Sequence, residues 1–418
     1  MKRTLAILLA LAMLLGCVSA LAETSEKPVV KLGACFVESG GGSAANIDWV
    51  KPAVQLAVEE YNARPDAKFT LELVTRDCQN DSSLVGTKYS ELEAEGCVGI
   101  VGPNNGSHGL AGFEWAKEHQ LPVITTSGSC SMLMGANCGE WGFSSGILGV
   151  NLARVLAQAF MDDGNHSFYF VAVDGSAEYE VYEGILEYLD AAGYDYELLG
   201  EAWVSSTDSD YTAIVNAAMS GKPDAIFACV GGAMGVALLQ QGQMYGMFDN
   251  CDIYTHVSIG SDLTMAFGDE FPEGVISYDY ASWFDDSEEN KEFYDWSRVF
   301  YEKSKVWPGC ISIAFIVGAY TMIDAIDAAF DEATGTVDPA VVRDNIATMT
   351  FNTPIGAVSY SDEESGHVAT YYGYLVSSAY SEEYGLAYGE IIAPIGEGVF
   401  MPIDEVKEKI ASYKSDNA

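Results

Sequence analysis

Between residues 29 and 278 the chain alternates two kinds of segment, and this alternation limits the folds open to it. Apolar runs at residues 30–37, 69–76, 98–102 and 122–125 lack an in/out alternation and read as strands buried on both faces. Between them, residues 50–62, 83–95 and 109–119 carry apolar positions at a period near 3.6, the mark of helices packing one face. The pattern resumes with strands at 168–173, 196–204, 225–230, 253–257 and 274–278 and helices at 179–192, 211–220 and 234–245. Strand–helix repetition of this kind predicts parallel sheets covered by helices. Two such series predict two sheets, hence two lobes, with a first crossing at the Gly- and Ser-rich stretch around Gly146. After Tyr278 long helices are expected at 288–304, 311–332 and 339–349, then short strands at 357–360, 369–378 and 385–392. Late elements must rejoin lobes already built, so the chain crosses more than once.

The chain has 418 residues, enough for two domains, and 49% of them are hydrophobic, enough for real cores. Its 61 acidic and 20 basic residues give a net charge of −41. That field repels a phosphate backbone, which excludes nucleic acid as a partner. Residues 306–323 contain no charged side chain, but Asp324 and Asp327 continue the same helix. A helix buried in a large domain is expected there rather than a membrane span.

Residues 1–22 read as an export signal. Lys2 and Arg3 precede an apolar stretch from Leu5 to Leu15. Two cleavage readings stand. Leu14-Leu15-Gly16-Cys17 resembles a bacterial lipobox, with Leu before the Gly where Ala or Ser is commoner, and would leave Cys17 lipidated; Ala20-Leu21-Ala22 reads as an ordinary secretion site. The first is favoured and places a lipid-anchored protein on the outer face of the cell membrane. The second gives a periplasmic or secreted protein. Residues 23–28 form a tether. Of nine cysteines, eight remain once Cys17 is lipidated, and Cys130 with Cys138 is the best disulfide candidate. There is no CxxC and the five His are scattered, so no metal site is expected.

In open α/β sheets ligands bind beyond the carboxyl ends of the strands. That rule selects Ser39-Gly40-Gly41-Gly42-Ser43, Gly102-Pro103-Asn104-Asn105-Gly106-Ser107 and Thr125-Thr126-Ser127-Gly128-Ser129 in the first series. In the second it selects Asp174-Gly175-Ser176-Ala177-Glu178-Tyr179 and Gly231-Gly232-Ala233-Met234. Helix starts and free backbone N–H groups in such loops suit an anionic group. No G-x-S-x-G, H-E-x-x-H, Walker A or G-x-G-x-x-G sequence is present, so no enzyme activity and no cofactor are expected. Acid pairs such as Asp285-Asp286 leave a secreted hydrolase as a remote alternative.

The chain resembles the solute-binding proteins of ABC importers, in particular the leucine/isoleucine/valine-binding family with the type I periplasmic-binding fold. The resemblance rests on residues 30–40 followed by Glu59-Glu60-Tyr61-Asn62-Ala63, and on Val98-Gly99-Ile100-Val101-Gly102-Pro103. It rests also on the segment from Leu121 to Ser129, and on Tyr320-Thr321-Met322-Ile323-Asp324-Ala325-Ile326 with Asp338-Pro339 and Thr353-Pro354-Ile355-Gly356. It implies an α/β fold of two Rossmann-like lobes with parallel sheets, joined by a three-crossover hinge near Gly146, Tyr278 and Gly356. Residues 29–146 and 280–356 would form lobe 1, 147–279 and 357–400 lobe 2, and 401–418 a C-terminal segment. It implies a monomer that closes around a small polar solute (amino acid, amide or organic acid) and delivers it to an ABC permease. The same fold used as a sensor for a membrane receptor is the alternative.

The family's ligand positions match Asn46 or Trp49 in the first loop, Asn105, Gly106 and Ser107 after the third strand, and Ser127, Gly128 and Ser129 after the fourth. Tyr179 and Ala233 match lobe 2 contacts, and Phe315 an apolar wall. Amino-acid binders of the family carry an acid after the strand at 253–257, where this chain has His256, Val257 and Ser258. Asp279 is the substitute partner for a ligand ammonium group.

Overall fold

A computed structural model describes residues 27–40, 46–126, 135–205, 208–256, 267, 272–370, 373–396 and 398–416. Five parallel strands form the first sheet: β1 (Val29–Phe36), β2 (Thr70–Asp77), β3 (Cys97–Val101), β4 (Val123–Thr125) and β5 (Gly142–Ser144), in the order β2-β1-β3-β4-β5. Its helices are α1 (Lys51–Ala63), α2 (Ser82–Ala94) and α3 (Gly106–His119). Helix α4 (Gly149–Asp162), unforeseen from the pattern, leads into the second sheet. That sheet holds β6 (Ser167–Val173), β7 (Glu197–Val204), β8 (Ala225–Cys229), β9 (Asp252–Thr255) and β10 (Ile276–Asp279). Its helices are α5 (Ser176–Ala192), α6 (Thr212–Ser220), α7 (Gly232–Met244) and the short α8 (Met247–Asn250).

The chain then returns to the first lobe with α9 (Lys291–Ser304) and α10 (Cys310–Ala329). A hairpin of β11 (Phe330–Asp331) and β12 (Thr336–Val337) and helix α11 (Pro339–Thr348) follow. Next is a small antiparallel sheet of β13 (Thr350–Thr353), β14 (Gly356–Tyr360) and β15 (Ala369–Thr370). Strands β16 (Tyr374–Ser381) and β17 (Leu386–Pro394) complete the second sheet as an antiparallel edge, in the order β17-β16-β10-β9-β8-β6-β7. Helix α12 (Ile403–Asp416) ends the chain's described part.

The uncharged stretch after residue 306 is a core helix. Of the apolar window Ser312–Ala329 in α10, 78% is buried. It lies close on the first sheet because Gly99 and Gly318 bring no side chain between them: a Cβ on Gly99 would stand 2.5 Å from Met322, and one on Gly318 3.1 Å from Ile124.

The third crossing differs from expectation. The run 369–378 reads as one strand, yet β15 pairs with β14 while β16 pairs with β10. Residues 357–370 therefore sit with the first lobe, not the second: Ser144 bridges Val368 and donates its amide to the His367 carbonyl at 2.9 Å. The crossing falls between Thr370 and Tyr374 rather than at Gly356. Gly373 permits it, with φ of 78° and room for no side chain, since a Cβ would lie 2.5 Å from the Asp279 carbonyl oxygen.

Helix α12 bridges the lobes. Lys407 pairs with Asp362 at 2.5 Å on the first-lobe side, and Lys409 with Glu187 at 2.7 Å on the second. Its Val406 and Ile410 pack with Leu148, Val150 and Val368. A cavity of about 580 Å³ remains between residues 147–151, 361–370 and the chain leading into this helix.

Gly102, at the carboxyl end of β3, has φ of 86°, and a Cβ there would lie 2.4 Å from the Cys35 carbonyl oxygen and 2.8 Å from the Phe315 ring. Backbone cannot yield as a side chain can. Gly102→Ala is expected to destabilise the protein by about 2–4 kcal/mol, read from urea unfolding.

Candidate functional site

The loops at the carboxyl ends of the two sheets are built differently, and the difference shows in their polar groups. The loop after β1 is held by its neighbour. Asp77, ending β2, accepts hydrogen bonds from the amides of Glu38 (2.9 Å), Ser39 (3.3 Å) and Gln79 (2.8 Å) and from the Ser39 hydroxyl (2.5 Å). Burial pushes its carboxyl pKa up, but the Ser39 hydroxyl and the three amides together hold it below its ordinary value. Ser39 is thus engaged within the protein and is a positioning element of this loop.

Farther along, polar atoms are buried without partners. Asn46 opens the helical turn Asn46–Val50. Trp49 on that turn is 3% exposed, and its Nε1 has no hydrogen-bond acceptor. After β3, Asn105 stands at the N-cap of α3, its carbonyl accepting from Gly109 (2.8 Å) and its side chain donating to Asn80 (2.7 Å). That leaves the first amides of α3, at Gly106 and Ser107, pointing out of the helix end. The adjacent Asn104 Oδ1 is buried with no donor. His108, one residue beyond the predicted trio, is 3% exposed with neither ring nitrogen paired. Burial lowers its pKa and outweighs the Asn80 backbone and the Asp81 carboxylate beside it. After β4, Thr126 donates its amide to Pro103 at 3.3 Å, tying the two loops together, and its Oγ1 is buried and unpaired.

Ser127, Gly128, Ser129 and Cys130 lie outside the described residues, as does Cys17. Cys138 is buried, its thiol 3.3 Å from the Gly135 carbonyl. Phe315 is fully buried, with its ring centroid 5.8 Å from that of Phe36, and belongs to the core beneath the loops.

In the second lobe Tyr179 stacks on Trp203 at 4.0 Å and keeps 42% of its surface exposed. Ala233 lies in the first turn of α7, after a turn so tight that a Cβ on Gly235 would meet the Val230 carbonyl oxygen. Asp279 is 9% exposed and its Oδ1 accepts from the Tyr280 amide at 2.8 Å.

The acid that the sequence lacks after β9 comes from another element. Glu178, in the first turn of α5, brings Oε1 to 3.8 Å from His256 Nε2. Burial raises the Glu178 pKa and lowers that of His256 to about 4. The His256 Nδ1 is buried with no partner. Glu178 was within reach of sequence reasoning, since it sits beside Tyr179 in a loop already singled out. Its pairing with His256, 78 positions away along the chain, was not.

Two α/β lobes are joined by three crossings, and unpaired polar atoms are buried near strand ends on both sides. The chain belongs to the periplasmic binding protein family, whose model matches residues 29–379. None of the curated proteins compared with the sequence matches it. Solved structures share the fold. A solute-binding protein of an ABC transporter from Rhodopseudomonas palustris BisB5, in complex with 3,4-dihydroxybenzoic acid, matches with a TM-score of 0.75 at 16% identity, over 88% of this chain and 97% of that one. A branched-chain amino acid ABC transporter periplasmic ligand-binding protein from Burkholderia xenovorans LB400 matches with 0.74 at 18%, over 90% and 98%. A leucine-binding protein from Thermotoga maritima MSB8 matches with 0.70 at 20%, over 88% and 99%.

The buried, neutral His256 makes stability depend on acid. As pH falls from 6.5, the ordinary His value, towards 4, the unfolded chain binds a proton that the folded chain does not. Stability present at pH 7 is expected to fall by about 3 kcal/mol through that window. His256→Gln should show a shallower loss in urea melts between pH 7 and 4.5, and equal losses would remove His256 as the source.

Proposed function

We propose that this protein is the extracytoplasmic solute-binding component of an ABC importer. It closes around a small polar solute and presents it to a membrane permease, without chemical turnover. One observation carries the reading: buried, unpaired polar atoms occur in strand-end segments of both lobes. Trp49 Nε1, Asn104 Oδ1, the His108 ring and Thr126 Oγ1 come from one side, and His256 Nδ1 from the other. Leaving such groups buried without a partner costs about 1–3 kcal/mol each, so a ligand that pairs with them is bound with that energy regained. The start of α3 offers amides to a carboxylate or amide group, with Ser127 and Ser129 proposed as further donors. Glu178 is the proposed counterpart for a cationic or donor group on the ligand, in place of Asp279. Among the structural relatives, one is bound to 3,4-dihydroxybenzoic acid and others are named as binders of leucine or of branched-chain amino acids, and both ligand classes carry a carboxylate. Lipidation at Cys17 is proposed as the anchor that holds the protein near its permease.

The test is a thermal-shift screen of the mature protein against amino acids, amides, urea and aromatic and aliphatic carboxylic acids. A ligand at 100 times its Kd stabilises the folded state by about 2.7 kcal/mol, which raises the melting temperature. Against the ligand found, Thr126→Val and Ser127→Ala are expected to weaken binding about tenfold each with little change in the ligand-free melting temperature. Silence across the whole panel, or unchanged affinity in both variants, would refute this placement of the site.

A further inference from the structure

Cys35 is the last residue but one of β1, Cys78 directly follows the end of β2, and the pairing of Cys35 with Arg76 puts the two cysteines on one face of the first sheet. Phe36 stands opposite Asp77 in the β1–β2 register, and the Cys78 amide donates to the Phe36 carbonyl at 2.9 Å. The Cys78 thiol also approaches that carbonyl, at 3.2 Å, and the two thiols are near enough to perturb each other's ionisation. Both residues are fully buried in one apolar cluster with Val85, Leu92 and Tyr89, and the Tyr89 hydroxyl donates to the Gly102 carbonyl at 2.5 Å. Each partner lies under a binding loop: Cys35 leads to Ser39, and Cys78 follows Asp77, which holds Ser39 in place.

We propose that in the exported protein Cys35 and Cys78 form a disulfide that staples the carboxyl ends of β1 and β2 beneath the ligand loops. Two buried cysteines on one face of neighbouring strands, in a chain that the proposed function places outside the cytoplasm, are candidates for this chemistry. The oxidant is a disulfide, either of an oxidoreductase or of glutathione. The Cys78 thiolate attacks one sulfur of that disulfide, forming a mixed disulfide and releasing one thiolate. Cys35 then gives up its proton and attacks Cys78 Sγ, releasing the second thiolate. Two protein thiols lose two protons and two electrons, and the oxidant ends as two thiols. Because the folded protein covers both sulfurs, exchange takes place while the chain folds after export, and the finished fold then shields the bond from reductants.

The experiment uses the mature chain, both as secreted and as refolded from the reduced, denatured state with oxidised glutathione. Thiols are blocked with N-ethylmaleimide in denaturant, and the digest is analysed by mass spectrometry without reduction. The expected result is one linked species joining the Cys35 and Cys78 peptides, lighter by two hydrogens than the two free peptides. Recovery of both cysteines alkylated, or either one joined to a different cysteine, after glutathione refolding overturns the proposal whatever the route of export. A second readout uses C35A/C78A, whose small side chains fit the same buried space. Reduction in mild denaturant is expected to lower the melting temperature of the wild type by several degrees more than that of the variant, and equal shifts would overturn the stapling role. Neither result depends on which solute the cleft takes.

Discussion

Three separate passages of the chain meet around Tyr278, Asp279 and Tyr280, and the two-lobed form depends on that meeting. The second passage supplies these residues. The first reaches it through the Ile147 amide, which donates to the Tyr280 hydroxyl at 3.0 Å. The third reaches it at Gly373, whose backbone lies so near the Asp279 carbonyl and the Tyr278 ring that no side chain would fit. The three passages are thus tied to one another at a single joint between the lobes. Helix α12 adds a fourth link, with lysines reaching acids on either lobe. Its exposed ion pairs contribute little energy each.

The same topology decides where chemistry can occur. Parallel strands deliver every loop of one kind to one edge, so the carboxyl ends of both sheets carry the groups available to a ligand. Within these loops there is a division of labour. Asp77 and Ser39 are saturated with hydrogen bonds and give rigidity, whereas His108, Thr126 and His256 are buried with bonds unmade. Groups of the first kind hold the loops in shape, and groups of the second remain able to form a new hydrogen bond, because only an unmade bond can reward binding.

Much of this was legible in the primary structure. The strands of both sheets up to β10, apart from the three-residue β5, lie within a few residues of the runs read from apolar patterning, because buried parallel strands need continuous apolar sequence. The uncharged run in α10 was correctly a core helix, since the acids at 324 and 327 fall where its end meets Arg64 and Lys68. The run at 369–378 misled because parts of two strands in different sheets, with Gly373 before the second, have the same composition as one strand. Helix α4 was missed beside a Gly- and Ser-rich stretch that drew attention to the crossing. Among site residues, Trp49 and the Asn105–Ser107 helix start proved to lie with unpaired polar atoms, while Phe315 is packed into the core.

By itself the sequence determined the class of fold, because strand–helix alternation with short connections admits few other arrangements. It determined also the strand-end loops, since Gly, Ser and Asn must stand where the backbone turns and approaches closely. Tertiary structure alone decided which polar groups are satisfied. Whether Ser39 is engaged, whether His108 is unpaired, and whether Glu178 faces His256 depend on partners from other elements, brought together by sheet order. Hydrogen bonding is a property of pairs, and distant pairs leave no mark in a single chain's pattern.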